Sequence, residues 1–145
     1  MNKIRKVGSL VLVCLIAVLS SPLAFSDDLS ELQRKANGGD PEAQSALGGV
    51  YDHGLGVPEN DQEAVKWYRK AADQGDAYAQ VNLGFMYAKG EGVPKDYIKA
   101  YFWWNIAAVT DQKARENRDI IKGMMTPEQI SEAQGLSSEY FQRQN

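Results

Sequence analysis

The feature that most constrains this chain is internal repetition. Residues 40–72 align without a gap onto residues 76–108 at a period of 36. Fourteen of the 33 aligned positions are identical, against about two expected from ordinary composition. The pairs include Ala43/Ala79, Gln44/Gln80, Leu47/Leu83, Gly48/Gly84, Tyr51/Tyr87, Pro58/Pro94, Ala64/Ala100 and Trp67/Trp103. A period of this length means a small supersecondary unit that buries its apolar face only against its neighbours.

Each unit reads as two helices joined by a turn. Asp40 is suited to cap a helix start, and Pro41 fits the first helical position, where no N–H partner is needed. Ala43, Leu47 and Tyr51 then recur every fourth residue as one apolar stripe. Gly54-Leu55-Gly56-Val57-Pro58 is too rich in Gly and Pro to be helical. Asn60 or Asp61 caps the second helix, whose stripe is Ala64, Trp67, Tyr68, Ala71 and Ala72. The second unit repeats this from Asp76, through Gly90 and Asp96, to Ala107. A glycine inside a helix costs about 1 kcal/mol against alanine. Its presence at both Gly48 and Gly84 predicts close approach of a neighbouring helix there.

The pattern Ala-Gln-x-x-Leu-Gly-x-x-Tyr-x-x-Gly-x-Gly-Val-Pro, followed by Ala-x-x-Trp-[Tyr/Trp]-x-x-Ala-Ala, resembles the Sel-one-like repeat, a relative of the tetratricopeptide repeat. The match covers residues 40–110. The resemblance implies an all-α fold, an α/α solenoid of right-handed twist, and a role as a scaffold or adaptor for other proteins, without catalytic residues in the repeat. Two full repeats are expected, 40–75 and 76–111, with helical caps on both sides. The first cap is a helix from Leu29 to Ala36, which lies one period before Ala72. The C-terminal cap, 112–145, continues a helix over Asp111–Lys122. Thr126-Pro127-Glu128-Gln129 then carries a capping box, and Ile130, Ala133, Tyr140 and Phe141 seal the open face.

Residues 1–26 do not belong to this domain. Lys3, Arg5 and Lys6 precede the apolar run Val7–Leu19, and Ala24-Phe25-Ser26 has small residues at a cleavage spacing, so a secretory signal cut before Asp27 is expected. The run is short for a membrane span, so no stable membrane insertion is expected after cleavage. The mature chain, 27–145, would hold 13 bases against 19 acids, net −6, which argues against nucleic acid as a partner. It would have no cysteine, because Cys14 lies in the apolar run, and so no disulfide to support its core. A periplasmic or secreted location follows.

Chemistry is sparse. His53 is the one histidine, and no ligand spacing surrounds it, so neither a metal nor a cofactor is expected. Asp40, Asp61, Asp76 and Asp96 have sufficient work as helix caps. Arg115, Arg118 and Lys122 share a helix face that Glu116 and Asp119 dilute, and this face reads as solvated. The chain is therefore expected to be non-enzymatic and monomeric, binding another protein or peptide of the cell envelope.

In tetratricopeptide-like units the first helix of each hairpin lines the concave face, and the resemblance carries that expectation here. The positions left for the groove are Tyr78, Val81, Phe85 and Lys89 in the second unit. In the first they are Glu42, Ser45, Gly49 and His53, with Asp52 beside them. The groove would run from acidic to aromatic, and the competing expectation is that the C-terminal helices cover Tyr78 and Phe85. Binding of a cell-wall glycan through such rings is the alternative function, and a small hydrolase is a third.

Overall fold

The computed structural model describes residues 22–144 and contains seven α-helices within them. They are α1 (Pro22–Asn37), α2 (Pro41–Asp52), α3 (Asp61–Asp73), α4 (Ala77–Lys89), α5 (Tyr97–Ala107), α6 (Gln112–Lys122) and α7 (Pro127–Gln144). No strand occurs among the described residues. The two hairpins α2–α3 and α4–α5 are joined by packing of α3 on α4, with α1 set against α2 and both α6 and α7 against α5. The architecture is the expected α/α solenoid of two full units with helices at both ends. The expected signal segment lies outside the described residues up to position 21.

Local chemistry explains the helix boundaries. Asp40, Asn60, Asp76, Asp96 and Asp111 each accept from the backbone N–H three residues on, at 2.7–3.1 Å. This satisfies donors that a helix start leaves free. Asn60 is the cap of α3, and Asp61 is that helix's first residue rather than its cap. Thr126 and Gln129 form the expected reciprocal box at α7, with bonds of 2.9 and 3.3 Å. Helix α1 reaches further back than its expected start at Leu29. Nothing between Pro22 and Asn37 breaks it, and the Ser30 hydroxyl bonds the Ser26 carbonyl one turn earlier.

Inside each hairpin the mid-helix glycine seats an aromatic ring from the partner helix. A Cβ at Gly48 would stand 2.6 Å from the Tyr68 ring, and one at Gly84 would stand 2.5 Å from Trp104 Cδ1. Close approach is therefore what offsets the helical cost of both glycines. Trp104 is fixed further by donating from Nε1 to the Val81 carbonyl at 3.0 Å. The repeated Ala-Gln pair has a second purpose. Gln44 Nε2 donates to the Ala36 carbonyl at 3.1 Å, and Gln80 Nε2 to the Ala72 carbonyl at 3.2 Å. Both glutamines are buried, and each ties one unit to the helix before it.

Helix α6 turns out to be a third first-helix, displaced by one residue. Asp111 and Ala114 stand where Asp76 and Ala79 stand in the unit before. Arg115 replaces glutamine and donates from Nε to the Ala108 carbonyl at 2.6 Å, so the bonded carbonyls recur as Ala36, Ala72 and Ala108. The turn ahead of α6 is one residue shorter than its counterparts. It lacks the left-handed glycine that Gly39 and Gly75 supply at φ 94° and 92°. Helix α6 accordingly packs on α5 but not along α7, and the third hairpin is splayed.

Candidate partner-binding groove

The groove expected from the sequence lies between the first helices of the two units. Ser45 does not face it. Its side chain is buried, and its hydroxyl donates to Asp76 Oδ1 at 2.8 Å, joining α2 to the cap of α4. The polar side chain is satisfied by the next unit rather than by solvent, and this closes one end of the α2–α4 seam. At the other end the seam opens into a cleft of about 420 Å³.

That cleft brings together Asp52, Phe85 and Lys89 from the expected set, with His53 at its rim. Tyr78 and Phe85 are 58% and 37% exposed, and α6 and α7 pack on α5 instead of covering them. Phe85 is nonetheless anchored, since its ring meets Trp104 edge-on at 5.2 Å between centroids. Tyr78 stands edge-on to Tyr68 at 6.3 Å, and the Tyr68 hydroxyl donates to Asp52 Oδ2 at 3.3 Å. Burial above all, then the neighbouring Tyr78 and Asp52, raises the Tyr68 phenol far above its usual range and keeps it a donor. Val81 is half-buried against the core, and Glu42 is exposed on the first turn of α2, away from the cleft lining.

Three acids outside the expected groove set also line the cleft: Asp61, which the sequence suggested as a cap, together with Glu59 and Glu91. They come from the Gly-Pro turns and the start of α3, so only the stacking of one unit on the next brings them together. Lys89 is paired with Glu91 at 3.6 Å. Asp52, Glu59 and Asp61 are left facing a cleft with an apolar wall of Phe85 and Met86. His53 lies 3.9 Å from Asp52 and is largely exposed. Among the described residues no group of His, Cys, Asp and Glu is arranged to hold a metal, and no helix is long and apolar enough to cross a membrane.

With this geometry in view, known proteins give a consistent picture. The Sel1 repeat model matches residues 41–76 and 77–108. A crystal structure of a protective antigen from uropathogenic Escherichia coli strains, displaying an SLR fold, is similar at a TM-score of 0.80 and 35% identity. That match covers 89% of this chain and 28% of the other. A Sel1 repeat protein from Oxalobacter formigenes is similar at a TM-score of 0.60 and 43% identity, over 61% of this chain and 26% of the other. The chitin synthase regulator SKT5 of Saccharomyces cerevisiae is 41% identical over 63 residues, which is 41% of this chain and 9% of that protein. The chain thus spans less than a third of the length of each of these relatives. Sel1 repeats are commonly protein–protein interaction modules and are generally non-catalytic. By their pattern, their match and their fold, residues 41–108 of this chain are a pair of Sel1 repeats.

Proposed function

We propose that the protein is an exported, non-enzymatic scaffold that holds a segment of another cell-envelope protein on the face built by α2 and α4. The observation that carries this reading is the α2–α4 cleft, where exposed Phe85 stands beside Asp52, Glu59 and Asp61. Such a surface suits a segment with a basic side chain next to an apolar one. The charged group confers selectivity and the aromatic contact most of the affinity.

Tyr78→Ala should weaken capture of the partner about tenfold or more while moving stability by less than about 1 kcal/mol, because the ring is mostly exposed. Phe85→Ala should weaken capture as strongly but also cost about 1 kcal/mol through its lost contact with Trp104. Crosslinking in the native envelope, followed by quantitative recovery with each variant, measures the first effect, and thermal melting the second. Full recovery with both variants would remove the groove. Co-sedimentation with purified wall polymer, in place of any protein crosslink, would replace a protein partner with a glycan.

Export has its own test. Intact-mass measurement of the protein recovered from the envelope should find a chain that begins at Asp27. A chain that retains residues 1–26 would contradict the export signal as read from Lys3 to Ser26.

A further inference from the structure

The splayed third hairpin contains a cleft separate from the α2–α4 groove. It measures about 520 Å³ and lies between α5, α6 and α7. Its α6 wall is the part of a first-helix that packs inside the hairpin in the other two units. Counting from each cap, Leu47 and Leu83 correspond to Arg118, Gly48 and Gly84 to Asp119, and Tyr51 and Tyr87 to Lys122. The cap, the buried alanine and the carbonyl tie are kept in α6, whereas the positions that close a hairpin have become charged. A solvated end-cap needs no open cleft behind those charges. The cleft exists because α6 is held in place by its tie to Ala108 while α7 packs on α5 through Tyr140 and Phe102, 5.9 Å apart.

The chemistry of the lining selects a ligand class. Arg118 is three-quarters buried, and its guanidinium is oriented by two bonds to Asp119 Oδ1, at 2.8 and 3.0 Å, and one to Asn105 Oδ1 at 3.2 Å. Each of its η nitrogens keeps a second hydrogen with no protein acceptor among the described residues. Lys122 stands on the same wall, one turn along, without an ion-pair partner among the described residues. With Asp119 counted, the wall carries one excess positive charge in a protein whose net charge is −3. A single carboxylate fits that excess, and the planar fork of Arg matches its two oxygens. On the facing walls, Gln134 and Asn105 offer carboxamides of the kind that pair with a peptide unit. Phe141, half-buried, offers a ring to an apolar side chain, while Tyr101 is buried and its hydroxyl accepts from Gln134 at 3.5 Å.

We propose that this cleft is a second binding site, which takes a carboxylate-bearing peptide segment on Arg118 and Lys122. It is independent of the α2–α4 groove and stands or falls separately from it. The test is calorimetric and NMR titration of the full chain with N-acetyl-Gly-Ala-Leu bearing a free C-terminal carboxylate, its C-terminal amide, N-acetyl-Ala-Glu-Ala amide, and glucuronate. At least one of the two carboxylate peptides should bind, shifting resonances of α5–α7, and the neutral amide should not. Arg118→Gln should weaken binding about ten- to a hundredfold, the range for a charge-assisted bidentate contact. Lys122→Gln, on a more exposed side chain, should weaken it several-fold with melting unchanged, which protects the test if Arg118→Gln loses its fold. Asp119→Asn should strengthen binding by removing the competing negative charge. Equal binding of the neutral amide, no binding of either carboxylate peptide, preference for glucuronate, or weakening by Asp119→Asn would each overturn the proposal.

Discussion

Trp104→Ala should destabilise the protein by about 3–5 kcal/mol, the range for deleting a large buried aromatic. The indole is 4% exposed, rests on Gly84, meets Phe85 edge-on and donates to the Val81 carbonyl. The pairing with Gly84 makes a sharper prediction. In the wild-type protein Gly84→Ala should cost about 1–3 kcal/mol. The new methyl has to displace a ring that a hydrogen bond and its neighbours hold in place. In the Trp104→Ala background the same change should stabilise by up to about 1 kcal/mol, because only the helical preference of alanine over glycine remains. Denaturant melts of the two single variants and the double variant give the coupling, expected at about 2–3 kcal/mol. Additive costs would mean that the glycine serves the helix for some reason other than seating the ring.

Trp67→Ala should have a comparable cost but a different distribution. Trp67 belongs to a small cluster with Ala36, Ala43 and Leu47, against which Leu29 and Leu32 of α1 are packed. The larger cluster, from Ala64 to Ala133, does not include it. Trp67 is by far the bulkiest buried member of the small cluster, so its loss should cost about 3–5 kcal/mol locally and release α1 before the rest. Hydrogen exchange should show amides 29–37 losing protection while α4 and α5 retain theirs. A uniform loss across all helices would mean that the two clusters unfold as one.

The hairpins were legible in the sequence because the same residues had to solve the same packing problem twice. Gly48 and Gly84 announced close approach, and the structure supplies Tyr68 and Trp104 as the rings they accommodate. What was not legible depended on neighbours from different units. Ser45 sits in the groove register by spacing, yet bonds a cap 31 residues away. Glu59, Asp61 and Glu91 meet only once the Gly-Pro turn of one unit lies against the next. Helix α6 was expected as a helix, but its role as a third first-helix was hidden for another reason. Its register is displaced by one residue and its glutamine is replaced by Arg115, so an alignment at a fixed period passes over it. The face of Arg118 and Lys122 read as solvated because its hairpin-closing position could not be assigned without that register.

The short turn before α6 also bears on how an array of this kind can lengthen. A duplicated unit joined through a turn like Asn37–Gly39 or Asp73–Gly75 inherits the left-handed glycine, and its first helix arrives at an angle that lets a hairpin close. Copies inserted ahead of residue 76 would therefore extend the stack by the geometry already present in α2–α5. A copy of the α6–α7 segment would carry the missing residue and the charged wall with it, and would reproduce an open cleft instead of a core. Duplication history would then be recorded unevenly along the chain. Gains of whole units should accumulate on one side of Asp111, whereas change beyond it should proceed by single substitutions in the cleft lining.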